Sequence, residues 1–201
     1  KLPQHSGHYG NYVSNPVFSL SRILASMKAE DGNVLIEDYY NGIAISEEVA
    51  SILNSVPDKK EVINNALVIN KEEKIGANYQ EALQYPTLNV RQIETSWKGK
   101  GLKTVIPEYA TAHLDVRLVV ETDGKKQLEK IKKHMVDQGY LVLDRTPTDE
   151  ERLTHSKIIT FKGNPGVNAF RTALDSPFGE KLRSALTKTF GQKPVSIRTM
   201  G

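Results

Sequence analysis

The sequence lacks cysteine altogether: none of its 201 residues is one. Disulfide bonds, thiolate zinc sites and cysteine nucleophiles are therefore excluded for this chain. No apolar run approaches the roughly 20 residues that a membrane-spanning helix requires, and the first residues do not form a signal peptide. The net charge is only +3 and the lysines are spread along the chain, which gives no argument for nucleic acid. We therefore expect neither a membrane nor a nucleic-acid partner.

Familiar catalytic motifs are also missing. The sequence contains no H-E-x-x-H metal motif, no G-x-S-x-G serine elbow, no P-loop and no G-x-G-x-x-G loop. A zinc site needs three or four ligands, and the only closely spaced histidines are His5 and His8, in "HSGHYG". These two residues fit a metal pair, part of a catalytic site or ordinary loop histidines. Taken alone, the chain is predicted to hold no metal and to catalyse nothing.

The first third of the chain shows helical patterns. Asn15 is a suitable N-cap, and Pro16 suits the first position of a helix. They precede an apolar stripe at helical spacing, which consists of Val17, Leu20, Leu24 and Met27. Weaker helical patterns cover 46–56 and 59–69. Residues 70–86 are polar and carry no pattern that we can assign.

Strand patterns begin at residue 87. The segments "TLNVRQIETSW" and "TVIP" predict two strands, the second of which ends at Pro107. In "ATAHLDVRLVV" apolar and polar residues alternate strictly, as in a strand with one buried face. The inward set consists of Ala112, Leu114, Val116 and Leu118, and the outward set of Thr111, His113, Asp115 and Arg117. We therefore expect Arg117 on the open face of a sheet.

The elements from residue 109 onward follow the order β-α-β-β-α-β. After the alternating strand come a helix at about 123–138, a strand at 140–144, an acidic loop rich in turn residues and a strand at 156–161. A helix from 177 and a strand at about 194–199 follow. This order predicts an α+β fold of the ferredoxin-like type, an antiparallel sheet with two helices on one face. Residues 1–86 then form a hinge and an N-terminal helical extension, and 87–201 form the ferredoxin-like unit.

The last helix has strong signals at both ends. Ser176 and Pro177 suit its start, and Gly191 suits its end. Its buried stripe is predicted to consist of Phe178, Leu182, Ala185, Leu186 and Phe190. The chain begins abruptly at "KLPQHSG", without a methionine, and ends directly after the predicted strand. We therefore expect it to be a domain excised from a longer protein.

Four motifs occur in a fixed order along the chain: "HSGHYGNYVSNP", "KGLKTVIPEYATAHLDVRLV", "RTALDSPFGEKLRSAL" and "SIRTMG". Together they resemble the lid, or dimerisation, domain of the co-catalytic zinc metallopeptidases. This family includes carnosinases, aminoacylases, acetylornithine deacetylases and glutamate carboxypeptidases. The likeness is strongest to the carnosinase-like dipeptidase branch, and it covers essentially all of residues 1–201.

The resemblance implies that catalysis and substrate binding are divided between two domains. A separate catalytic domain, absent from this chain, would hold two zinc ions and a glutamate base, whereas this chain would need no cofactor. The lid domain would pair with a second copy, a homodimer, and lend substrate-binding residues to the active site. The complete enzyme would hydrolyse a peptide or N-acyl bond beside a free carboxylate, and the isolated domain would be inactive.

Three residues match lid residues of the family. His5 matches a histidine that donates a hydrogen bond to the substrate carbonyl oxygen, an oxyanion-hole function. Thr104 matches a residue whose hydroxyl contacts substrate, and Arg117 matches the arginine that binds the substrate's terminal carboxylate. His8 matches no functional residue, and Asn11 stands where the family often has a second glycine.

Two other functions remain open on the residues alone. A stand-alone ferredoxin-like regulatory or ligand-binding module would explain the predicted fold and the missing catalytic motifs. It would not explain the ordered motifs. A nucleic-acid-binding sheet would need aromatic and basic residues on its open face, where the alternating strand offers only His113 and Arg117 beside Asp115.

Overall fold

The helices and strands lie within residues 2–99, 101 and 103–198, which the computed structural model describes. The helices are α1 (Ser6–Tyr9), α2 (Pro16–Met27), α3 (Glu47–Asn54), α4 (Lys60–Leu67), α5 (Tyr79–Ala82), α6 (Gly124–Asp137), α7 (Asp149–Thr154) and α8 (Pro177–Phe190). The strands are β1 (Gln4–His5), β2 (Asn89–Thr95), β3 (Val105–Ile106), β4 (Ala110–Asp115), β5 (Leu141–Leu143) and β6 (Ile158–Thr160). In this part of the chain, no helix is long and apolar enough to cross a membrane.

Helix α2 begins as its sequence predicts. The side-chain oxygen of Asn15 accepts a hydrogen bond from the backbone N–H of Val17 at 2.9 Å, and Pro16 occupies the first turn. The most buried residues of the helix are Ile23 and Met27. They belong to the main core cluster, whose buried members are Ile23, Met27, Val34, Ile36, Tyr39, Leu88, Ile131 and Met135. The predicted stripe is confirmed at Leu20, Leu24 and Met27, although it omitted Ile23.

The N-terminal extension contains the two further helices that the patterns predict. Ser46 caps α3 by accepting a hydrogen bond from the N–H of Val49 at 3.3 Å, and α4 follows after a short loop. The unassigned segment 70–86 contains the short helix α5, which is capped by Asn78. A cap followed by only one helical turn leaves no periodic signal in the sequence.

The alternating strand β4 pairs with β2 and turns its apolar side toward the core. The pairing is antiparallel, with a bulge between Val90 and Gln92. Leu114 and Val116 pack against the core cluster, which confirms the predicted inward face at these two positions. Helix α6 covers the same core with Ile131 and Met135.

The described strands do not form the single antiparallel sheet of the predicted ferredoxin-like fold. They form three separate pairs, β1–β3, β2–β4 and β5–β6. β5 and β6 run parallel, and parallel neighbours need a crossover connection. Helix α7 lies in this connection, in a segment that we expected to be a loop. Thr148 and Glu151 form a capping box at the start of the helix. Residues 194–198 form no strand, and Thr199 lies outside the described residues.

The apolar stripe of α8 is not buried, contrary to prediction. The helix itself is confirmed, with Ser176 as N-cap and Gly191 in the left-handed conformation that ends it. Phe178 is 77% exposed and Phe190 69% exposed. The physical reason is the missing sheet surface: without the four-stranded sheet, α8 has no apolar face against which to pack. The coarser α+β assignment is confirmed.

Candidate functional site

The structure brings His5 and Thr104 together. Strand β1 pairs with β3 in antiparallel register, so that Gln4 lies opposite Ile106 and His5 opposite Val105. The backbone N–H of Ser6 donates to the carbonyl oxygen of Thr104 at 3.0 Å. The "HSG" and "TVIP" segments are 97 to 102 residues apart in the sequence, yet their backbones are joined in this way.

The imidazole of His5 is held by its own loop. His5 is the N-cap of α1, and its Nδ1 accepts a hydrogen bond from the backbone N–H of Gly7 at 3.1 Å. A nitrogen that accepts this bond carries no proton, so in the neutral ring the proton lies on Nε2. We assign His5 to this tautomer. The side chain is exposed, so it presents an N–H donor to the surroundings.

His8 packs against His5, a contact that the sequence did not reveal. The two ring centroids lie 4.9 Å apart with an interplanar angle of 36°. The ring of Tyr9 meets that of His8 edge-on at 6.4 Å. Two histidines are too few for a metal site, and the described residues contain no group of three His, Cys, Asp or Glu that could hold one. The residues present therefore do not fit a zinc site.

Gly101 and Lys103, just before Thr104, both contact Trp97. The ammonium group of Lys103 lies 4.4 Å from the centroid of the Trp97 ring, a cation–π contact. The indole N–H donates to the carbonyl oxygen of Gly101 at 3.3 Å. Thr104 follows directly and is exposed, so its hydroxyl is accessible beside the His5 loop.

Arg117 lies just beyond β4, where its backbone is fixed by Thr87. The N–H of Arg117 donates to the Thr87 hydroxyl at 3.1 Å, and its carbonyl accepts from the Thr87 N–H at 3.0 Å. The guanidinium Nε lies 3.3 Å from the Asp115 carboxylate, and the side chain is 60% exposed. Among the described residues, no hydrogen bond or ion pair links Arg117 to His5 or Thr104. The structure therefore joins two of the three predicted site residues directly.

A cleft of about 410 Å³ lies beside the His5 loop. Its lining includes Ser6 of the His5 loop, Phe18 and Arg22 of α2, and Ile106 of β3; we call it the α2 cleft. The sequence reasoning concentrated on the core stripe of α2 and missed it. A signal was present in the helical spacing i, i+3, i+4, i+7 of Asn15, Phe18, Ser19 and Arg22.

Comparison with known proteins identifies the class. Residues 2–140 match the family described as the peptidase dimerisation domain of the M20 peptidases. The chain belongs to this family. The predicted resemblance is thereby confirmed, and the alternative of a stand-alone regulatory module is not favoured.

Individual relatives are metallopeptidases. The chain is 26% identical over 136 residues to the Cys-Gly metallodipeptidase DUG1 of Saccharomyces cerevisiae, covering 65% of this chain and 28% of the relative. It is 26% identical over 200 residues to human Beta-Ala-His dipeptidase, covering 96% of this chain and 37% of the relative. An M20 family metallo-carboxypeptidase from Sulfolobus solfataricus superposes with a TM-score of 0.72 at 26% identity, covering 100% of this chain and 42% of that one. The chain thus spans less than half the length of the proteins that it matches.

Proposed function

We propose that this chain is the substrate-binding lid and dimerisation domain of a zinc-dependent peptidase or amidohydrolase. The complete enzyme would hydrolyse a peptide or N-acyl bond beside a free carboxylate. Membership in the M20 dimerisation family supports this proposal, as do the relatives named as metallodipeptidase and metallo-carboxypeptidase. We assign the two zinc ions to a catalytic domain outside this chain, and no zinc-dependent step to the residues described here.

His5 carries the proposal. Its Nδ1 accepts from Gly7, which leaves Nε2–H as the exposed donor. A donor in this position can bind the carbonyl oxygen of a substrate as negative charge develops on it. Thr104, joined to the same loop through the backbone, would contact the substrate through its hydroxyl. Arg117 would bind the terminal carboxylate, a task that suits a planar guanidinium.

The proposed lid and dimerisation role also implies two partners. The domain would pack on its own catalytic domain and would pair with a second copy to form a homodimer. Dimerisation would use an edge strand and an adjacent helix, since unpaired strand edges are ready templates for association. The 201-residue chain by itself would be inactive.

We also propose that the assembled enzyme adopts the ferredoxin-like arrangement. Elements β4, α6, β5, β6 and α8 follow one another in the chain order that this fold requires, apart from the inserted α7 and a last strand that residues 194–198 do not form. A four-stranded sheet would cover the apolar stripe of α8, which is otherwise a large exposed patch. Cross-strand NOEs between 141–143 and 158–160 test it: antiparallel pairs support the proposal and parallel pairs contradict it.

Replacing His5 in the complete enzyme tests the main proposal. In His5→Ala we expect turnover of dipeptides such as Cys-Gly or β-Ala-His to fall about 100- to 1000-fold, the usual cost of losing one oxyanion donor. Bound zinc, measured by elemental analysis, should be unchanged. His155→Ala removes another exposed histidine and should leave turnover unaltered. A His5→Ala enzyme that loses zinc in proportion to activity would contradict the role.

A further inference from the structure

We infer that the α2 cleft binds a small carboxylic acid with a short apolar group, and that Arg22 binds its carboxylate. The cleft lies next to the loop that carries His5. Binding of such an acid stands on the cleft alone. Its further meaning, that Arg22 adds a second carboxylate site to the one that we propose for Arg117, rests on the proposed function.

The cleft has a fixed frame of a size that suits a ligand. The backbone N–H of Gly10 donates to the carbonyl of Ser6 at 2.8 Å, and that of Val13 donates to Tyr9 at 2.9 Å. A side chain at Gly10 would collide with the carbonyl oxygen of Ser6, so this tight turn requires glycine. The volume of about 410 Å³ falls within the range of small-molecule pockets, which begins near roughly 300 Å³.

The α2 wall of the cleft is one continuous helix face. Arg22 stands four residues after Phe18 and three after Ser19, so its side chain emerges beside both of theirs. Ile23 and Met27, on a different face, anchor the same helix in the core. The helix is therefore held firmly while its second face stays open.

The charge of the cleft favours an anion. Arg22 is its one charged residue among the described lining residues, which include no carboxylate. Within the described part of the chain, the guanidinium of Arg22 makes no hydrogen bond and no ion pair, and the residue is exposed. An unpaired guanidinium is well suited to bind a carboxylate through two parallel N–H bonds. Arg117, by contrast, already lies 3.3 Å from the carboxylate of Asp115.

The remaining lining residues define the rest of the ligand. Ser6 and Ser14 supply hydroxyl groups, and Val13, Phe18 and Ile106 supply an apolar wall. This combination suits an amino-acid-sized acid, such as an N-acyl amino acid, better than a strongly hydrated inorganic anion. Ser6 directly follows His5, so a ligand in the cleft lies beside the proposed oxyanion donor.

Titration of the ¹⁵N-labelled 201-residue chain with N-acetyl-L-alanine tests the inference. We expect millimolar binding, with amide shift changes centred on Ser6, Ser14 and Ser19. The uncharged methyl ester should bind about five- to tenfold more weakly, as should Arg22→Ala, because each loses the charged pair. Arg22→Lys should retain part of the affinity. The matched control Arg152→Ala removes an exposed arginine of α7 and should bind like the wild type.

Several outcomes would overturn the inference. These are absence of binding by the wild type, equal binding of acid and ester, equal binding by Arg22→Ala and wild type, or shift changes confined to other regions. The acid–ester comparison needs no variant, so it decides the question even if Arg22→Ala fails to fold. If the titration detects no binding but His5→Ala loses turnover as expected, only the ligand site in the α2 cleft is rejected. If the acid binds as expected but His5→Ala keeps its turnover, only the proposed function is rejected.

Discussion

Replacement of Ile131 by alanine tests the packing that positions the α2 cleft. Ile131 is 1% exposed and lies in the core cluster that joins α6 to α2. Truncating a buried isoleucine to alanine costs about 2–5 kcal/mol, because burial is lost and a cavity remains. Since Ile131 is almost fully enclosed, we expect the free energy of unfolding to fall by about 3.5 kcal/mol, the middle of that range. For a chain of this size this lowers the melting temperature by about 7–14 °C.

Urea unfolding followed by circular dichroism measures this loss. The matched control is Val136→Ala, a truncation on the same helix at a position that is 51% exposed. We expect the control to change the free energy of unfolding by about 0.5 kcal/mol or less. If Ile131→Ala costs no more than Val136→Ala, α6 does not pack against α2 as described. The frame of the cleft would then be wrong as well.

Two further predictions concern charged groups. The guanidinium of Arg145, with the backbone N–H of Thr148, lowers the pKa of Glu151 from 4.5 to about 2. A lowered folded-state pKa stabilises the fold above the unfolded value of 4.5, and this contribution is lost as the pH falls toward 2. The difference in melting temperature between wild type and Glu151→Gln should therefore shrink over that interval; a difference independent of pH would contradict the pairing. In the complete enzyme, Arg117→Ala should raise KM by about tenfold for substrates with a free carboxylate and change kcat little. An unchanged KM would contradict the assignment of Arg117 to the substrate's carboxylate.

Local signals in the sequence predicted elements better than they predicted packing. Asn15 and Pro16 placed the start of α2 correctly, because a cap and a proline act on the neighbouring backbone alone. Ser176 and Gly191 likewise bounded α8 correctly. The burial of Phe178 was predicted wrongly, because burial depends on a distant sheet surface that no local pattern specifies.

Strand pairing was the least predictable feature of the fold. The segments that became β5 and β6 were located within two residues at each end, but their relative direction depends on the connection between them. That connection folds as α7, and its capping box is a readable signal in Thr148 and Glu151. We read the segment as a loop because it is acidic and rich in turn residues.

The candidate site was partly predictable. Alternation placed Arg117 on an exposed face without any family knowledge, and the structure confirms that exposure. The contact between His5 and His8 and the partner of Arg117, Asp115, depend on side-chain conformation, which a residue pattern does not encode. The roles of His5, Thr104 and Arg117 stay predictions until the variants are measured.

The tautomer of the His5 ring is the most direct test of the central claim that this residue presents a hydrogen-bond donor to substrate. Long-range ¹H–¹⁵N correlation spectroscopy of the labelled chain distinguishes the two ring nitrogens at a pH where the ring is neutral. We predict a protonated Nε2 and an unprotonated Nδ1, because Nδ1 accepts from the Gly7 N–H at 3.1 Å. A ring protonated at Nδ1 would turn an acceptor toward the substrate carbonyl and would contradict the account.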